Sequence, residues 1–392
     1  MKRPDVVVIG AGIVGSAAAY YLTLAGLRTL VIDRGGASNG SSSGCMGHLM
    51  LMSAPECMYH LSRRSLELWR QFHRDVGGFE MLNCGCLWLG ESEEDMPTLQ
   101  KIHDEIASFG DEGQLLTTSE LLRREPALAP DLVGAYFYPK DSVIFPMQAT
   151  AALLGAIVRQ GGAVQYDTNV LGLRRSTDGS VCSVITDAGE IETGVVVNAA
   201  GVWLPDITVM AGLPRAPIFP RRGDLAITMP QDQRVKTQMV EVAYLRTATG
   251  KAKDPEDGEP DEGACALNLQ PQGNGTLLVG STRQFAGYDR RVNMRLLRAS
   301  FERASRFVPS IQDLQIVRTW AGLRPYTRDK VPIIGPASSV PGLFVSGGHE
   351  GLGITLSMAS GELIAQSVRG EPTTQSMEPF LLDRFSEVVA DG

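Results

Sequence analysis

The sequence predicts an α/β fold in which distant segments of the chain assemble one parallel sheet, with a second domain inserted between them. Three observations predict it. Residues 1–33 read as strand, glycine turn, helix and strand. Strand and helix patterns alternate again near the other end of the chain, and the middle holds more scattered strand patterns. Because alternating strands and helices build parallel sheets, both ends are expected to contribute to one sheet.

The opening unit has the most regular pattern. Residues 6–9 read Val-Val-Val-Ile, which is typical of a strand buried on both faces. Residues 10–15 read Gly-Ala-Gly-Ile-Val-Gly and are followed by alanine- and leucine-rich residues 16–25, which predict a helix. Gly26 suits its C-terminal cap. Residues 28–32 predict the second strand, which ends at Asp33.

The rest of the chain carries shorter patterns that predict loops, helices and strands. Glycine- and serine-rich residues 35–47 predict a loop. Polar residues 230–263, with an acidic and turn-rich part at 254–262, predict a flexible insertion. The other predicted elements are helices at 56–72, 119–124, 148–160 and 352–366, and strands at 87–89, 164–173, 181–186, 195–197, 277–279 and 343–345.

Composition excludes several classes of protein. The 392-residue chain is 43% hydrophobic and 20% charged, as expected for a globular protein with a large core. Its net charge of −8 argues against a nucleic-acid partner, because phosphate binding needs a basic surface. No apolar run predicts a transmembrane segment, and Asp5 argues against a signal peptide. The six cysteines lack metal-site spacing, so we expect reduced thiols, no metal and a cytoplasmic location.

Glycines and an acid at fixed spacing predict a dinucleotide site in the opening unit. Gly10 permits a tight turn, Gly12 lets a pyrophosphate approach the backbone, and Gly15 lets the helix pack on the sheet. Asp33 can accept hydrogen bonds from ribose hydroxyls and disfavours a 2′-phosphate. The alternatives are a turn that merely needs glycine and a solvated strand end, and the motif leaves NAD and FAD open. The neighbouring residues predicted in the same site are Ile13, Val14 and Arg34.

Four further segments carry a family resemblance. They are residues 40–44 (Gly-Ser-Ser-Ser-Gly), Asn169 with Val170, residues 195–203, and residues 322–335 with the glycine-rich 346–355. In this order they resemble the D-amino-acid oxidase, glycine oxidase and sarcosine oxidase family of flavoproteins. The resemblance spans nearly the whole chain, and the block Gly-Leu-Arg-Pro-Tyr-Thr-Arg-Asp from 322 is its most specific part.

The resemblance implies a Rossmann-like FAD-binding domain of the glutathione-reductase type. It also implies an inserted α+β substrate domain built on an antiparallel sheet. The FAD-binding domain is expected at 1–85, 145–215 and 320–392, and the substrate-binding domain at 86–144 and 216–319. The implied FAD contacts, besides those of the opening unit, are Ser41, Ser42, Ser43, Gly44, Val170, Ala200, Gly201, Trp203, Gly322, Arg324, Gly348, His349, Glu350, Gly351, Leu352, Gly353, Ile354 and Thr355.

Arg324 is the residue that the resemblance assigns to the substrate carboxylate, because its planar fork pairs bidentately with that group. The alternative is a structural ion pair with Asp329. His349 is a candidate catalytic residue that could hydrogen-bond flavin or substrate, or could simply pack at a helix start. Glu350 could cap that helix instead of binding a ligand.

Two further positions belong to the predicted substrate pocket. Arg283 could contact a second carboxylate or lie on the surface, and Tyr326 is placed beside Arg324 by the motif. Residues 221–223 are interpreted as structural. Covalent flavin attachment to His48 is conceivable. Residues 264–267 lack an aromatic side chain that glycine oxidase-like members have, which suggests a different or roomier pocket.

The implied reaction is oxidation of the C–N bond of a small amino or imino acid, with hydride transfer to FAD. Candidate substrates are D-hydroxyproline or another secondary amino acid, an opine, a D-amino acid, sarcosine and glycine. In sarcosine oxidase-like members of the family, a lysine near the flavin promotes reaction with oxygen. Of the seven lysines in this chain, only Lys330 lies in a flavin-side motif. The His-Glu-Gly-Leu-Gly turn at 349–353 resembles the β subunits of D-hydroxyproline dehydrogenase and opine oxidases, which are assemblies of several different chains.

The scarcity of lysines in flavin-side motifs and the resemblance of the turn at 349–353 favour electron transfer to partner subunits. Such subunits could attach the protein peripherally to the inner membrane. The alternatives are a self-sufficient oxidase producing hydrogen peroxide, an FAD-dependent 2-hydroxy-acid dehydrogenase, an NAD-dependent enzyme and a non-catalytic FAD-holding scaffold.

Overall fold

The computed structural model describes residues 3–231, 235–243 and 261–389, with side chains described through residue 385. Its helices are α1 Ile13–Leu24, α2 Glu56–Asp75, α3 Met96–Ser108, α4 Thr118–Arg124, α5 Pro146–Arg159, α6 Leu204–Met210, α7 Met294–Phe307 and α8 Gly353–Val368. Its strands are β1 Val6–Ile9, β2 Thr29–Ile32, β3 His48–Leu49, β4 Met81–Leu82, β5 Cys86–Gly90, β6 Gln114–Thr117, β7 Gly134–Tyr138, β8 Ser142–Ile144, β9 Ala163–Gln165, β10 Val170–Arg175, β11 Val181–Thr186, β12 Gly189–Glu192, β13 Val195–Asn198, β14 Phe219–Thr228, β15 Gln238–Glu241, β16 Ala264–Pro271, β17 Leu277–Phe285, β18 Ile316–Tyr326, β19 Ile333–Pro336 and β20 Leu343–Gly347.

A six-stranded sheet gathers both ends of the chain, in the order β19-β20-β13-β1-β2-β9. Its pairs are parallel except for the edge pair of β19 and β20. Val6 and Val8 face the core that holds α1, α5 and α8, and Val7 and Ile9 face a second core with α6. Burial of both faces explains the uninterrupted apolar run. The predicted Rossmann-like parallel sheet is confirmed.

The second large sheet has eight strands in the order β18-β14-β17-β16-β15-β5-β7-β6. Its pairs are antiparallel except for β15 with β5. Leu267 and Leu269 point into a core with α7, and Asn268 between them faces the opposite side. This alternation leaves one face of the sheet free to line a cavity. The predicted antiparallel sheet is confirmed.

The domain boundaries remain a proposal. One of them, at residue 320, falls inside β18, which belongs wholly to the eight-stranded sheet.

Several predicted elements were wrong in extent. The single strand expected at 164–173 is two strands, because β9 joins the six-stranded sheet and β10 joins a separate one. Polar residues 230–263 contain the buried strand β15, and residues 232–234 and 244–260 of that insertion lie outside the described residues. Amphipathic helices α3 and α7 were missed, although both carry apolar residues at helical spacing. Among the described residues, no helix is long and apolar enough to cross a membrane.

Helices α1 and α8 cross in close backbone contact at Gly361. A Cβ atom added there would lie 2.6 Å from the carbonyl carbon of Ala17. Gly155 in α5 makes a useful contrast, because its added Cβ would meet only the tip of Arg159, at 3.2 Å.

We predict that Gly361→Ala destabilises the protein by roughly 1–3 kcal/mol, because two buried helices must separate. Gly155→Ala should change stability by less than ~1 kcal/mol and in the stabilising direction, since alanine is the better helix former. Denaturant unfolding of both variants measures the difference. Equal shifts for the two variants would show that the helix crossing tolerates a side chain.

Candidate active site

A cavity of about 470 Å³ lies at the carboxyl ends of the parallel strands, where the six-stranded and eight-stranded sheets meet. Ligands of open α/β sheets bind in this position. The predicted site residues that line it are Gly10, Gly12, Ile13, Val14, Asp33, Arg34, Ser41, Ser42, Gly44, Val170, Ala200, Gly201, Trp203, Gly322, Arg324, His349, Glu350, Gly351, Gly353 and Ile354. Those outside its lining are Gly15, Ser43, Arg283, Tyr326, Gly348, Leu352 and Thr355.

The glycine turn after β1 forms one end of the cavity. Gly10 has a φ of +114°, and a Cβ there would lie 2.5 Å from the carbonyl oxygen of Ala199. Gly12 lines the cavity, so a side chain would enter it. Gly15 does not line the cavity and packs against the turn instead, since its added Cβ would lie 2.0 Å from the oxygen of Gly10. The three glycines therefore differ in their physical roles, as the spacing predicts.

Asp33 holds the turn as well as facing the cavity. Its Oδ2 accepts a hydrogen bond from the backbone N–H of Ala11 at 2.7 Å, and its Oδ1 accepts one from Gly35 at 2.9 Å. It is therefore not merely a solvated strand end. Beside it, the guanidinium of Arg34 lies 3.9 Å from the ring centroid of Trp203, and both side chains line the cavity.

The serine loop joins this turn to the other sheet. Ser42 Oγ accepts a hydrogen bond from the N–H of Ile13, at 3.0 Å, and Ser41 Oγ donates to the carbonyl of Leu323 in β18, at 2.5 Å. Gly44 touches Gly322, where a Cβ would lie 2.2 Å from the Gly44 oxygen. These contacts fix β18 against the dinucleotide end of the cavity.

Arg324 projects from β18 into the cavity. Its guanidinium passes over Gly223 of β14, where an added Cβ would lie 2.2 Å from Nη1. Nη1 donates to the carbonyl of Thr282 at 2.9 Å. The alternative ion pair with Asp329 is wrong, because Asp329 pairs with Arg384 at 2.7 Å. Arg324 is thus anchored through one nitrogen, and its remaining donors can serve a ligand.

His349 is a neutral imidazole. It is 2% exposed, and burial lowers its pKa to about 3. Its Nε2 lies 3.0 Å from the hydroxyl of Ser360, which donates its own hydrogen to the carbonyl of Leu356. With the Ser360 hydrogen on Leu356, the matching tautomer carries its proton on Nε2 and leaves Nδ1 as an acceptor. Nδ1 is buried without a hydrogen-bond partner in the described part of the chain, and the residue lines the cavity.

Glu350 lies at the cavity wall among arginines. Its Oε1 is 3.5 Å from Nη1 of Arg221, and its Oε2 accepts from the N–H of Gly351, so it binds one N–H locally. Burial alone would raise the pKa of Glu350, but Arg324, Arg283 and Arg221 outweigh it and hold that pKa below its ordinary value. The carboxylate is therefore ionised.

The structural interpretation of residues 221–223 remains a prediction for the two arginines, which lie outside the cavity lining. Arg222 pairs with Asp289 at 3.2 Å, and Arg221 contacts Glu350 at 3.5 Å. Gly223 lines the cavity and makes room for Arg324, and the sequence analysis missed it as a site residue. The surface interpretation of Arg283 is wrong, because Arg283 is 2% exposed. The place of Gly223 opposite Gly322 could be found only once the pairing of β14 with β18 is known.

The remaining predicted residues lie behind the lining. Tyr326 packs edge-to-face on Phe285, with ring centroids 5.1 Å apart. Thr355 donates to the carbonyl of His48 at 2.9 Å, which holds β3 in place. Gly348 has a φ of +72° and shapes the turn before α8. The ligand contacts assigned to these residues remain predictions.

Several further polar atoms have the character of ligand contacts, and His48 is the one residue among them that the sequence analysis had considered. Each is buried on a cavity-lining residue and lacks a partner among residues 3–231, 235–243 and 261–389, and such atoms are costly unless a ligand or water pairs with them. They are His48 Nε2, Asn268 Oδ1, Ser281 Oγ and Ser346 Oγ. Ser346 could have been found from its place at a strand's carboxyl end. Asn268 and Ser281 carry no local signal.

Known proteins are similar to this chain over its full length. It is 29% identical over 394 residues to glycine oxidase of Geobacillus kaustophilus (strain HTA426), covering 97% of each chain. It is 27% identical to the hydrogen cyanide synthase subunit HcnC of Pseudomonas aeruginosa, covering 97% of this chain and 96% of that one. The solved L-proline dehydrogenase from P. horikoshii superposes with a TM-score of 0.88 at 25% identity, covering 98% of each chain.

A family model described as FAD dependent oxidoreductase matches residues 5–367. It decides between FAD and NAD, which the glycine motif left open. The cavity fits FAD: the turn at Gly12 has room for a pyrophosphate, and unpartnered polar atoms line the opposite end. The cofactor is FAD, and the chain belongs to the DAO family of FAD-dependent oxidoreductases.

Proposed function

We propose that this enzyme oxidises the C–N bond of a small amino or imino acid and that Arg324 binds the carboxylate of the substrate. The observation that carries the proposal is the position of the Arg324 guanidinium. It lies in the cavity, anchored by one hydrogen bond to Thr282, with donors left for a bidentate partner. The amino-acid oxidase and dehydrogenase names of the relatives support the same reaction.

The protein groups supply orientation and electrostatics. When bound, FAD supplies the two-electron acceptor. Arg324 would hold the carboxylate and thereby position the carbon that bears nitrogen. His349 presents Nδ1 as an acceptor, so it can receive a hydrogen bond but has no proton to give at that atom. Its low pKa keeps this role unchanged across the neutral pH range.

We further propose that electrons leave through a partner subunit. No lysine lines the described part of the cavity, so the cationic group that promotes reaction with oxygen in sarcosine oxidase-like proteins has no counterpart there. The relative HcnC is a subunit of a larger synthase, which supports an assembly. A self-sufficient oxidase is the second candidate, because glycine oxidases are also similar over the whole chain.

All six cysteines lie in the described part and are free, which supports a reducing, cytoplasmic location.

The purified protein should be yellow and release FAD on acid treatment, and Gly12→Val should abolish FAD binding. The valine side chain would enter the space that the pyrophosphate needs. Gly36→Val is the matched control, because an added Cβ at Gly36 meets nothing within 4 Å. Visible absorbance measures FAD content. A folded Gly12→Val protein with a full complement of FAD would contradict this placement.

Arg324→Lys should lower kcat/KM for a carboxylate substrate by roughly 30- to 1000-fold, equivalent to about 2–4 kcal/mol. A point charge cannot replace the planar fork. Arg222→Lys is the control, since Arg222 pairs with Asp289 outside the cavity. Steady-state kinetics with an artificial dye measures both variants. A change of less than threefold for Arg324→Lys would assign the carboxylate to another group.

Oxygen should reoxidise the reduced enzyme slowly, and an artificial dye should do so much faster. The physical reason is the absence of a lysine from the described cavity lining. Stopped-flow mixing of substrate-reduced enzyme with air-saturated buffer or with dye measures the two rates. Equal rates, with one hydrogen peroxide formed for each product, would identify a self-sufficient oxidase.

If no amine reduces the bound FAD and 2-hydroxy acids do reduce it, the proposed substrate class is replaced.

A further inference from the structure

Two uncharged polar side chains occupy neighbouring positions in the wall that the eight-stranded sheet presents to the cavity. They are Asn268 of β16 and Ser281 of β17, and both line the cavity. The two strands are adjacent, and Asn268 pairs with Gly280, the residue directly before Ser281. Asn268 is 4% exposed and Ser281 is 2% exposed, so both are buried in the wall.

The polar atoms of this pair lack a protein partner. Asn268 Oδ1 and Ser281 Oγ are buried without a hydrogen bond in the part of the chain that the structure describes. Asn198, which is also buried, shows the usual arrangement, because its amide donates to the carbonyl of Leu204 and accepts from the N–H of Ala200. A buried polar atom without a partner is costly, so a ligand or a water molecule is needed to complete the pair.

Arg324 reaches across the sheet to the same place. Its guanidinium lies over Gly223 of β14, and its Nη1 donates at 2.9 Å to the carbonyl of Thr282, the residue directly after Ser281. Asn268 is one strand farther on, and neighbouring strands are about 5 Å apart. A small amino acid whose carboxylate binds Arg324 can therefore reach the pair with its side chain.

The pair favours a hydrogen-bonding group that carries no charge. Asn268 Oδ1 can only accept, so the ligand must donate to it, and a carboxylate has no hydrogen to donate. An ammonium group could donate, but the nearby guanidinium of Arg324 disfavours a second cation. The hydroxyl of Ser281 can donate or accept. A hydroxyl or a carboxamide satisfies both atoms, since each of these groups donates and accepts at once.

We propose that the substrate carries a hydroxyl or a carboxamide on its side chain, and that Asn268 and Ser281 bind this group while Arg324 holds the carboxylate. The proposal rests on the proposed oxidation of an amine at the same site and adds the chemistry of the substrate side chain. Asn268 and Ser281 are then specificity-determining residues, because an apolar side chain would leave both polar atoms buried and unpaired.

The test compares substrates of similar shape that differ in hydrogen bonding. Serine is compared with 2-aminobutyrate, threonine with valine, asparagine with leucine, and 4-hydroxyproline with proline, each as both stereoisomers. Anaerobic reduction of the FAD-loaded enzyme gives a rate and a dissociation constant for each compound. At least one polar compound should exceed its apolar counterpart by roughly 30- to 1000-fold in rate over dissociation constant, the effect of two buried groups left unpaired.

Two variants test the assignment to this pair. Asn268→Leu and Ser281→Ala should each reduce the preference for the polar compound by at least about fivefold, the effect of one lost hydrogen bond, by weakening the polar compound and not the apolar one. Ser300→Ala is the matched control and should keep the parent ratio. The hydroxyl of Ser300 in α7 is also buried without a partner among the described residues, but Ser300 lies outside the cavity lining.

Two results of the variants would overturn the proposal. An equal loss for polar and apolar substrates would show that the pair binds the amine, which all of them share. Loss of FAD from both variants, with circular dichroism showing that they are folded, would assign the pair to the cofactor. If only Asn268→Leu loses FAD, the ratio in Ser281→Ala decides between the substrate and the cofactor.

A binding measurement separates this proposal from the proposed reaction. Ligands without an amine are used: 3-hydroxypropionate is titrated against butyrate, and succinamate against 4-methylpentanoate, and the shift of the FAD absorption band is followed. Tighter binding of the polar ligands without oxidation of any amine would sustain the side-chain assignment and remove the reaction. Oxidation of polar and apolar amino acids with equal efficiency would overturn the side-chain assignment and keep the reaction.

Discussion

The backbone contact between Gly44 and Gly322 is the constraint on which the site depends. It brings the loop after β2 against the middle of β18, and a Cβ on either glycine would overlap the backbone of the other. The hydrogen bond from Ser41 to Leu323 lies beside it. Because Arg324 is the next residue of β18, this contact sets how far the guanidinium stands from the dinucleotide turn.

Charge and burial divide the cavity into two chemically different ends. The dinucleotide end is made from backbone groups and Asp33, where small residues admit a large polar ligand. The other end combines neutral His349 with arginines packed around Glu350. The imidazole of His349 is neutral because burial lowers its pKa to about 3.

The two sheets contribute to these ends in different ways. The six-stranded sheet presents turns at the carboxyl ends of its strands, so its contribution comes from short, contiguous motifs. The eight-stranded sheet presents the face of its strands, so Asn268, Ser281 and Arg324 reach the cavity from separate parts of the chain. Such residues follow a period of two within each strand, and their meeting depends on strand pairing.

The sequence by itself determined the parallel sheet and the cofactor turn, because each is encoded by neighbouring residues with a local physical role, whereas Arg324 was singled out by the family resemblance. Glycine spacing, a β-branched run and an acid at a strand end are readable without knowing any long-range contact. Only the tertiary structure decided that Arg221 lies opposite Arg324, that Asp329 pairs with Arg384, and that β15 is buried within a polar segment. These facts depend on sheet register and burial, which strands far apart in the chain establish together.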